Sequence, residues 1–512
     1  MEAKLTDNSI IKEFFIFYYE KTCRISVPRM IQVNAFLGKN RKFCFTDNEI
    51  RQMTDTALIQ KYNVPGPRYT SYPTVPYWED AGFSIPQWIS GLRQSFKESS
   101  RDARLNGLFG QEGISLYIHL PFCESLCTFC ACNKRITRQH SVEEPYIEAL
   151  LKEWDMYRRN FPEKPVIREI HLGGGTPTFF SPAHLKKLLE GILLGCTVHP
   201  EREFSFEGHP NNTGREHLQT LYNLGFRRVS FGVQDYNEKV QKAIHRIQPF
   251  ENVKNVTETA VATGYESVSH DLVFGLPFQT LENVRKNIAL TIALKPGRVA
   301  LYSYAHVPWI KGVGQRGFDE DDLPPGELKL QFYKTAKALL EAAGYIEIGM
   351  DHFSLPEDRL YQSMRSKKIH RNFMGYTSSA TQVMIGLGVS AISDSWYAFA
   401  QNEKTVEAYY EKINSGALAV VKGHILTDED LKIRRHILNL MCFLETGWMP
   451  EDRFPGIAER LKTLEEDGLV TITANKITVN PKGRSFLRNI CMAFDLRLIA
   501  KAPSTALFSM TV

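Results

Sequence analysis

Ile114-Ser-Leu-Tyr-Ile-His-Leu-Pro-Phe-Cys123-Glu-Ser-Leu-Cys127-Thr-Phe-Cys130-Ala-Cys132 places four of the nine cysteines of this chain directly after an apolar, β-rich run. Cysteine thiolates are the usual protein ligands of iron–sulfur clusters, and a 4Fe–4S cube normally takes four of them. Three thiolates at spacings of four and three residues can converge from one loop, which leaves one iron open for a substrate or cofactor. The sequence therefore predicts a metal cluster held by Cys123, Cys127 and Cys130.

The same cysteines could instead form a zinc site, a set of disulfides or part of an apolar core. Zinc sites usually combine two well-separated cysteine pairs, whereas Cys196, Cys442 and Cys491 stand alone. Disulfides would suit a secreted protein, but nothing in the sequence marks it as secreted. Cysteines can also be buried apolar residues. Cys132 stands close behind Cys130, and we expect its side chain to point away and not to be a ligand.

The composition is that of an ordinary globular protein, with 43% hydrophobic and 23% charged residues over 512 positions. The net charge of +5 is mild and does not indicate a nucleic-acid partner. The strongest apolar run, Phe14–Tyr19, is too short to cross a membrane and lacks a signal-peptide cleavage site. The unpaired cysteines favour a reducing compartment, so we expect a cytoplasmic protein with no membrane or nucleic-acid partner.

A β-rich run followed by a helical segment recurs from residue 114 to about 345. The predicted strands are Ile114–Pro121, Ile167–Gly173, Glu203–Gly208, Arg227–Gln234, Ser267–Gly275 and Arg298–Pro308. The predicted helices between them are Tyr146–Asn160, His184–Leu194, Arg215–Leu224, Asn252–Thr263 and Leu281–Ala293. Apolar strands that alternate with helices predict an α/β fold with parallel strands. Six units are too few for a closed eight-fold barrel, so we expect a partial barrel or an open doubly wound sheet, with its chemistry at the carboxyl ends of the strands.

The N-terminal part divides into two predicted regions. Residues 1–52 carry no motif and precede Met53, and we interpret them as a non-native or disordered extension, with a short native extension as the alternative. Residues 53–113 are predicted to form an N-terminal arm and helices. Within them, the prolines of Pro65–Thr74 exclude a helix, so this segment is an extended arm across a site or a surface linker.

The βα region is predicted to cover residues 114–420, with a separate small module over residues 421–512. In this module Thr427 can cap a helix over Asp428–Phe443 in capping-box fashion. A second helix and two short strands follow, which is typical of a winged-helix-like α+β domain. Because the module is charge-balanced, we interpret it as a structural cover and not as a DNA-binding unit.

The Cys-x-x-x-Cys-x-x-Cys spacing resembles that of the radical S-adenosylmethionine (SAM) enzymes, in which the open iron binds the methionine part of SAM. The glycine-rich turn Gly173–Pro177 follows the second predicted strand and allows a ligand to approach the backbone closely. Four polar residues stand at or just beyond further strand ends: Glu207, Gln234, Arg246 and Asp271. Carboxylates suit the ribose diol and the ammonium group of SAM, and arginine suits its carboxylate. Each of these four residues, taken alone, is more simply interpreted as part of an ordinary ion pair. Because all four stand on one rim of the predicted sheet, together they favour a ligand-binding site.

A wider set of motifs resembles the oxygen-independent coproporphyrinogen III oxidases, from about Lys61 to about Asp495. The segments that carry the resemblance are Gly66–Thr74, Tyr117–Lys134, Gly173–Pro177, Gly232–Asp235, Gly349–Phe353, His370–Phe373, Gly386–Ser393 and Arg488–Met492. The resemblance implies a partial (βα)6 barrel, a 4Fe–4S cluster on Cys123, Cys127 and Cys130, and two SAM molecules. The positions implied for the cluster-bound SAM are Tyr117, Gly174, Glu207 and Ile392. Those implied for the second are Phe129, Gly175, Thr176, Gln234, Arg246, Asp271 and Ala305.

The resemblance also implies an activity. A SAM-derived 5′-deoxyadenosyl radical would remove hydrogen from two propionates of coproporphyrinogen III, and loss of carbon dioxide would leave the vinyl groups of protoporphyrinogen IX. It implies a monomer that takes electrons from a donor such as flavodoxin or ferredoxin. Arg68, Arg246 and Arg371 are candidates for binding the substrate carboxylates, and His306 and His370 are candidate proton carriers, although a packed histidine is the simpler interpretation of each.

The sequence leaves two points open. The rival functions are a haem chaperone on the same scaffold, another tetrapyrrole-acting radical SAM enzyme, and an iron–sulfur redox protein without SAM. The family pattern Glu-Val-Asp-Pro is replaced here by Glu207-Gly-His-Pro210, which changes the hydrogen bonding expected around Glu207.

Overall fold

The structure is a computed structural model. It describes residues 30–34, 42–46, 56–78, 82–101, 113–309, 314–315, 317–447, 454–501 and 507–511. The chain forms two compact units, Met1–Met53 and Thr54–Val512. In the first unit, strand β1 (Met30–Asn34) pairs antiparallel with β2 (Lys42–Thr46). The rest of the predicted extension lies outside the described residues.

The predicted cysteine loop follows β3, Ile114–Leu120. A two-residue parallel ladder between β4 (Phe122–Cys123) and β5 (Arg135–Ile136) closes the loop at its base. The amide of Thr137 also donates to the carbonyl of Cys123 at 2.9 Å. The loop is therefore anchored to the end of a buried strand.

Six parallel strands form the centre of a twelve-stranded sheet, in the spatial order of the chain. After β3 they are β6 (Val166–Gly174), β7 (Thr197–Gly208), β8 (Arg228–Gln234), β9 (Ser267–Phe274) and β10 (Arg298–Ser303). The prediction of six parallel βα units is confirmed. The last strand is shorter than expected, because the chain leaves the sheet after Ser303.

Helices precede the sheet, connect its strands and follow β10. They are α1 (Thr56–Tyr62), α2 (Ile85–Arg101), α3 (Glu143–Arg158), α4 (Pro182–Leu193), α5 (Arg215–Asn223), α6 (Glu238–Ala243), α7 (Phe250–Thr263), α8 (Leu281–Leu294) and α9 (Gly326–Ala342). Side-chain caps fix several starts: Ser181 accepts from the amide of His184, and Thr280 accepts from that of Asn283. None of the described helices combines the length and the apolar character needed to span a bilayer.

Short strands extend the sheet at both edges. Beyond β10 lie β12 (His352–Ser354) and β11 (Ile346–Ile348), followed in the chain by α10 (Arg359–Arg365) and the separate pair β13 (His370–Asn372) and β14 (Gly375–Thr377). Beyond β3 lie β15 (Met384–Leu387), β16 (Ile392–Asp394), β17 (Ala398–Asn402) and β18 (Val420–Ile425), with α11 (Val406–Asn414) between the last two. The boundary predicted at residue 420 thus falls inside β18.

The C-terminal part contains α12 (Asp428–Phe443), β19 (Glu445–Gly447), α13 (Ile457–Glu466), β20 (Val470–Ile472), β21 (Lys476–Val479), α14 (Leu487–Met492) and α15 (Leu496–Lys501). The capping box of Thr427 and Asp430 at the start of α12 is confirmed. The hydrophobic core of these elements includes Tyr69 and Tyr72, both almost fully buried. The arm Pro65–Thr74 is extended as predicted, but it packs into this core and is not a surface linker.

Charged side chains fill the amino ends of the parallel strands. Arg298 pairs with Asp358 at 2.6 Å and lies 3.8 Å from Glu203, which also accepts from Arg228 at 3.2 Å. Burial, together with the nearby Glu203 charge, raises the pKa of Glu169 to about 7. We refer to these five residues as the amino-end network. Because both members of the Arg298–Asp358 pair are almost fully buried, removing either partner would leave a costly uncompensated charge.

Candidate functional site

The three predicted cluster ligands lie on one loop at the carboxyl end of β3. A turn in which the amide of Cys130 donates to the carbonyl of Cys127 at 3.2 Å sets the spacing of the second and third thiols. Burial raises the pKa of the Cys123 thiol to about 11. A hydrogen bond from the exposed Cys132 lowers the pKa of Cys130 to about 6. The loop therefore brings Cys123, Cys127 and Cys130 together, and the Cys132 side chain lies beside Cys130 instead of pointing away as expected.

The donor set fits an iron–sulfur cluster, because cysteine thiolates are the usual protein ligands of such clusters. Three free cysteines, Cys123, Cys127 and Cys130, lie on this one loop.

The glycine-rich turn is joined to the cysteine loop. The amide of Gly175 donates to the carbonyl of Leu120 at 2.8 Å, and Thr176 Oγ1 lies 3.3 Å from Cys123 Sγ. Gly174 has a φ of +112°, and a Cβ on Gly175 would lie 2.5 Å from the carbonyl oxygen of Pro121. Only glycine fits these two positions, because His119 and the backbone of Pro121 and Phe122 fill the space on their Cβ sides, so the turn packs directly against the start of the cysteine loop.

Tyr117, Glu207 and two unpredicted histidines form one group on the same face of the sheet. The hydroxyl of Tyr117 lies 3.0 Å from His119 Nδ1, and its ring stacks on His171 with centroids 6.1 Å apart. His171 Nε2 lies 3.4 Å from Glu207 Oε1. Burial lowers the pKa of His119 to about 4, so this ring is neutral near pH 7 and orients the tyrosine. Glu207 remains partly exposed and is accessible to a ligand.

Gly208 and His209 have clear local roles. A Cβ on Gly208 would lie 2.9 Å from the ring of Phe231, which accounts for the glycine. His209 Nδ1 accepts from the amide of Asn211 at 3.1 Å, and burial lowers the pKa of His209 to about 3. The altered motif therefore forms a tight turn behind Glu207.

Arg246 connects the cysteine loop to the end of β8. Its Nη2 donates to the carbonyl of Gly232 at 2.6 Å, its Nη1 lies 3.6 Å from Cys127 Sγ, and its buried Nε has no hydrogen-bond partner among the described residues. Gln234 follows with a φ of +65°, next to a register shift in the ladder between β8 and β9. Gln234 and Arg246 meet beside Gly232, where an added Cβ would lie 2.6 Å from Gln234 Nε2 and 2.9 Å from Arg246 Nη2.

Asp271 lies opposite Gly232 in that ladder. Its Oδ1 accepts from the hydroxyl of Ser230 at 2.7 Å. Burial raises the pKa of Asp271 to about 6, although the Ser230 hydrogen bond opposes this shift. The carboxylate is therefore ionised near pH 7 and keeps accepting capacity for a further donor.

Gln315 is a residue that sequence reasoning missed. Its Nε2 donates to the carbonyls of Ala305 at 2.7 Å and Phe129 at 3.3 Å, while its Oε1 accepts from the amide of Val307 at 2.6 Å. This one buried side chain joins two predicted site residues. The only sequence signal was a Gly-Gln pair, which is too common to be diagnostic.

Ile392 is the first residue of β16. In the sheet, β16 lies next to β15, which in turn lies next to β3, the strand that precedes the cysteine loop. A Cβ on Gly386 would lie 2.4 Å from the carbonyl oxygen of Ile392, so glycine allows this close approach. The intervening turn is held by Glu153, whose carboxylate accepts from the amide of Gly388 at 2.8 Å and from Asn402 Nδ2 at 2.6 Å. Burial raises the pKa of Glu153 to about 7.

Two of the candidate substrate arginines are adjacent. Arg68 Nη2 donates to the carbonyl of Ser303 at 2.6 Å, and Arg371 Nη2 donates to the carbonyl of Arg68 at 3.3 Å. The Nε and Nη1 atoms of the buried Arg371 have no hydrogen-bond partner in the described part of the chain. Burial alone would raise the pKa of Asp351, but His352 and the two arginines lower it well below its usual range. This arginine pair is thus only partly neutralised.

The two candidate proton-carrying histidines are packed residues. His306 Nδ1 lies 3.2 Å from the hydroxyl of Tyr304, and burial lowers the pKa of His306. His370 is buried in β13, and burial lowers its pKa to about 3. Both are expected to be neutral near pH 7.

Comparisons with known proteins place this site in a family. The Radical SAM superfamily matches residues 117–290. The chain is 35% identical over 452 residues to the oxygen-independent coproporphyrinogen III oxidase of Pseudomonas aeruginosa, which covers 86% of this chain and 95% of the relative. Identity to the Escherichia coli protein of the same name is 37% over 458 residues, covering 88% and 96%.

A solved structure gives the same result. The structure of coproporphyrinogen III oxidase (HemN) from Escherichia coli, described as a radical SAM enzyme, matches with a TM-score of 0.77 and 34% identity, covering 86% of this chain and 98% of that chain. The similarity thus extends over almost the whole length of these relatives. This chain belongs to the family of oxygen-independent coproporphyrinogen III oxidases, within the radical SAM superfamily.

Proposed function

We propose that this protein catalyses the oxygen-independent oxidative decarboxylation of two propionate side chains of coproporphyrinogen III to vinyl groups, giving protoporphyrinogen IX in haem biosynthesis. The observation that carries the proposal is the direct joining of the three-cysteine loop to the glycine turn, through Thr176 and Cys123, in a chain of this family. Cys132 and the C-terminal segment Arg488–Met492 argue against the alternative of a haem chaperone on the same scaffold.

The cofactors of the proposal are a 4Fe–4S cluster and two SAM molecules. When bound, they supply the one-electron chemistry that removes hydrogen from a propionate β-carbon. Cys123, Cys127 and Cys130 hold the cluster. Tyr117, Gly174, Glu207 and Ile392 surround the first SAM; Phe129, Gly175, Thr176, Gln234, Arg246, Asp271 and Ala305 surround the second. The unpaired Nε of Arg246 fits a ligand with a carboxylate group.

Arg68 and Arg371 are proposed to receive substrate carboxylates. The buried Nε and Nη1 of Arg371 have no hydrogen-bond partner among the described residues, so each can still donate to a carboxylate oxygen. Arg246 is better suited to SAM, because it contacts Cys127. Charge-neutral replacement of Arg68 is expected to raise the KM for the porphyrinogen, and an unchanged substrate affinity would exclude Arg68 from this role.

The six parallel units curve into a partial barrel, and the C-terminal elements form a winged-helix-like cover, which the three-stranded order β19-β21-β20 after α12 supports. The protein is proposed to act as a cytoplasmic monomer and to take electrons from a flavodoxin or ferredoxin.

An anaerobic turnover assay tests the function. The reconstituted protein receives SAM, dithionite, an electron acceptor and coproporphyrinogen III, and mass spectrometry follows the loss of two carboxyl groups together with 5′-deoxyadenosine. Both products should form, and Cys127→Ala should make neither. SAM cleavage without porphyrinogen conversion would mean that the substrate is wrong. Tight haem binding without SAM cleavage would favour a haem chaperone.

A further inference from the structure

We infer that the segment after the cysteine loop is the docking surface for the electron donor, and that the donor is an acidic one-electron carrier protein. We call this surface the basic strip and define it as Lys134, Arg135, Arg138 and Lys404, with Ile136 among them. The inference rests on the proposed function, because only a protein whose cluster must be reduced needs such a partner.

The basic strip lies directly against a proposed cluster ligand. In the ladder between β4 and β5, Ile136 is the Cα partner of Cys123, and paired strands lie roughly 4.8 Å apart. Lys134 Nζ donates to the carbonyl of Cys130 at 3.2 Å. An electron carrier seated on Ile136 is therefore separated from Cys123 by a single strand, without having to enter the site.

Apart from Lys134, whose ammonium group donates to carbonyls of the cysteine loop, the side chains of the basic strip are exposed and poorly neutralised. Ile136 is 41% exposed, an unusual exposure for an isoleucine beside a buried strand. Arg135 is 58% exposed and pairs with Glu407, which is itself 65% exposed, so this ion pair contributes little. Arg138 is exposed as well.

The basic side chains of this surface outnumber the acidic ones at its edge, so the surface favours a negatively charged partner. Lys404 is exposed, and its carbonyl accepts from Asn133 Nδ2 at 2.9 Å, which brings it next to the strip. Glu124 and Glu407 are acidic side chains at the edge of the surface. Four basic groups around one exposed apolar side chain match the anatomy of a transient interface with an acidic protein, in which charge steers encounter.

The transfer itself is balanced. The carrier is oxidised by one electron and the cluster is reduced by one electron, while no covalent bond is made or broken. Lys134 supports the loop backbone, so the test leaves it unchanged and alters only side chains that point to solvent.

Binding of a fluorescently labelled, purified flavodoxin to the holoprotein tests the inference by anisotropy. The double variant Arg135→Glu/Arg138→Glu should weaken binding by at least roughly 10-fold at low ionic strength, and added salt should remove most of the difference. Ile136→Ser should weaken binding at every salt concentration. The charge-matched control Lys286→Glu/Lys462→Glu, on α8 and α13, should bind as the wild type does.

A second readout separates this inference from the proposed function. Flavodoxin-driven SAM cleavage should fall in the double variant, whereas dithionite-driven cleavage should remain. Equal flavodoxin affinity for the wild type and the double variant, or equal weakening in the control, would overturn the docking surface. Absence of dithionite-driven cleavage in the wild type would instead count against the proposed function.

Discussion

Arg246 Nη1 lies 3.6 Å from the sulfur of Cys127. The same guanidinium donates to the carbonyl of Gly232 at the end of β8, so one side chain spans the proposed cluster loop and the proposed site of the second SAM. Arg246 thus links the cysteine loop to the end of β8.

Replacing Arg246 should therefore impair both sites. We expect Arg246→Met to slow 5′-deoxyadenosine formation by roughly 10- to 100-fold, as for the loss of other groups that orient metal ligands. Arg246→Lys should lose less, because it keeps the charge. Anaerobic SAM cleavage and iron content per protein measure the effect. Arg159 is exposed, so Arg159→Met, which makes the same change in charge, should behave as the wild type. An equal loss of SAM cleavage in Arg246→Met and Arg159→Met would contradict the role of Arg246.

Gly175→Ala should block SAM binding. The added Cβ would lie 2.5 Å from the carbonyl oxygen of Pro121, and backbone cannot yield as a flexible side chain can. Because Pro121 and Phe122 lead directly into Cys123, iron uptake by the cysteine loop and SAM binding, measured by equilibrium dialysis with labelled SAM, should both fall. Gly447→Ala, where a Cβ meets nothing within 4 Å, is the matched control. Normal SAM affinity in Gly175→Ala would contradict this geometry.

Asp271 should produce a pH dependence in the use of SAM. Burial raises its pKa to about 6, so the carboxylate forms as pH rises through that value, and kcat/KM for SAM should rise with it. Ser230→Ala removes a hydrogen bond that favours the ionised form, so the rise should move to higher pH. Asp271→Asn should abolish it. The exposed Ser415→Ala is the control, and an unmoved profile in Ser230→Ala would rule out Asp271 as its source.

Glu153 should make the free energy of unfolding fall as pH rises, whereas a salt-bridged acid makes it rise. Burial raises its pKa from 4.5 to about 7, so between these values the folded protein binds a proton that the unfolded chain releases. Its contribution to the free energy of unfolding is full below pH 4.5 and is lost as pH rises through 7, by on the order of 3 kcal/mol.

Thermal unfolding between about pH 5 and 8 tests this assignment. The Tm of Glu153→Gln relative to the wild type should increase with pH, because the variant lacks this titration. Glu148→Gln, exposed on the same helix, should show a constant difference from the wild type. A constant difference for Glu153→Gln would show that another group titrates.

Local sequence patterns were sufficient to predict the central sheet and part of the candidate site. The near-continuous apolar runs identified the six parallel strands, because strands buried on both faces need apolar residues at almost every position. Helix starts were less accurate: α4 begins at Pro182, two residues before the predicted His184, because Ser181 caps it.

The parts that were missed depend on contacts between distant residues. The edge strands β11, β12 and β15 to β18 are three to six residues long, too short for a periodic signal. Tyr69 joins the C-terminal core through a hydrogen bond to Asp495, 426 residues later, which no local pattern reveals. Gln315 and Glu153 act in the site in the same way, by holding backbone groups that the sequence does not place beside them.

The amino-end network bears on the side from which a substrate can approach the sheet. Arg298, Asp358 and Glu203 lie at the opposite end of the strands from the cysteines, and their side chains are almost fully buried in ion pairs. For the proposed reaction, we therefore expect the planar macrocycle to enter and leave at the carboxyl ends of the strands. The products of SAM cleavage would leave through the same opening, so their release would compete with the turning of the ring from its first propionate to its second.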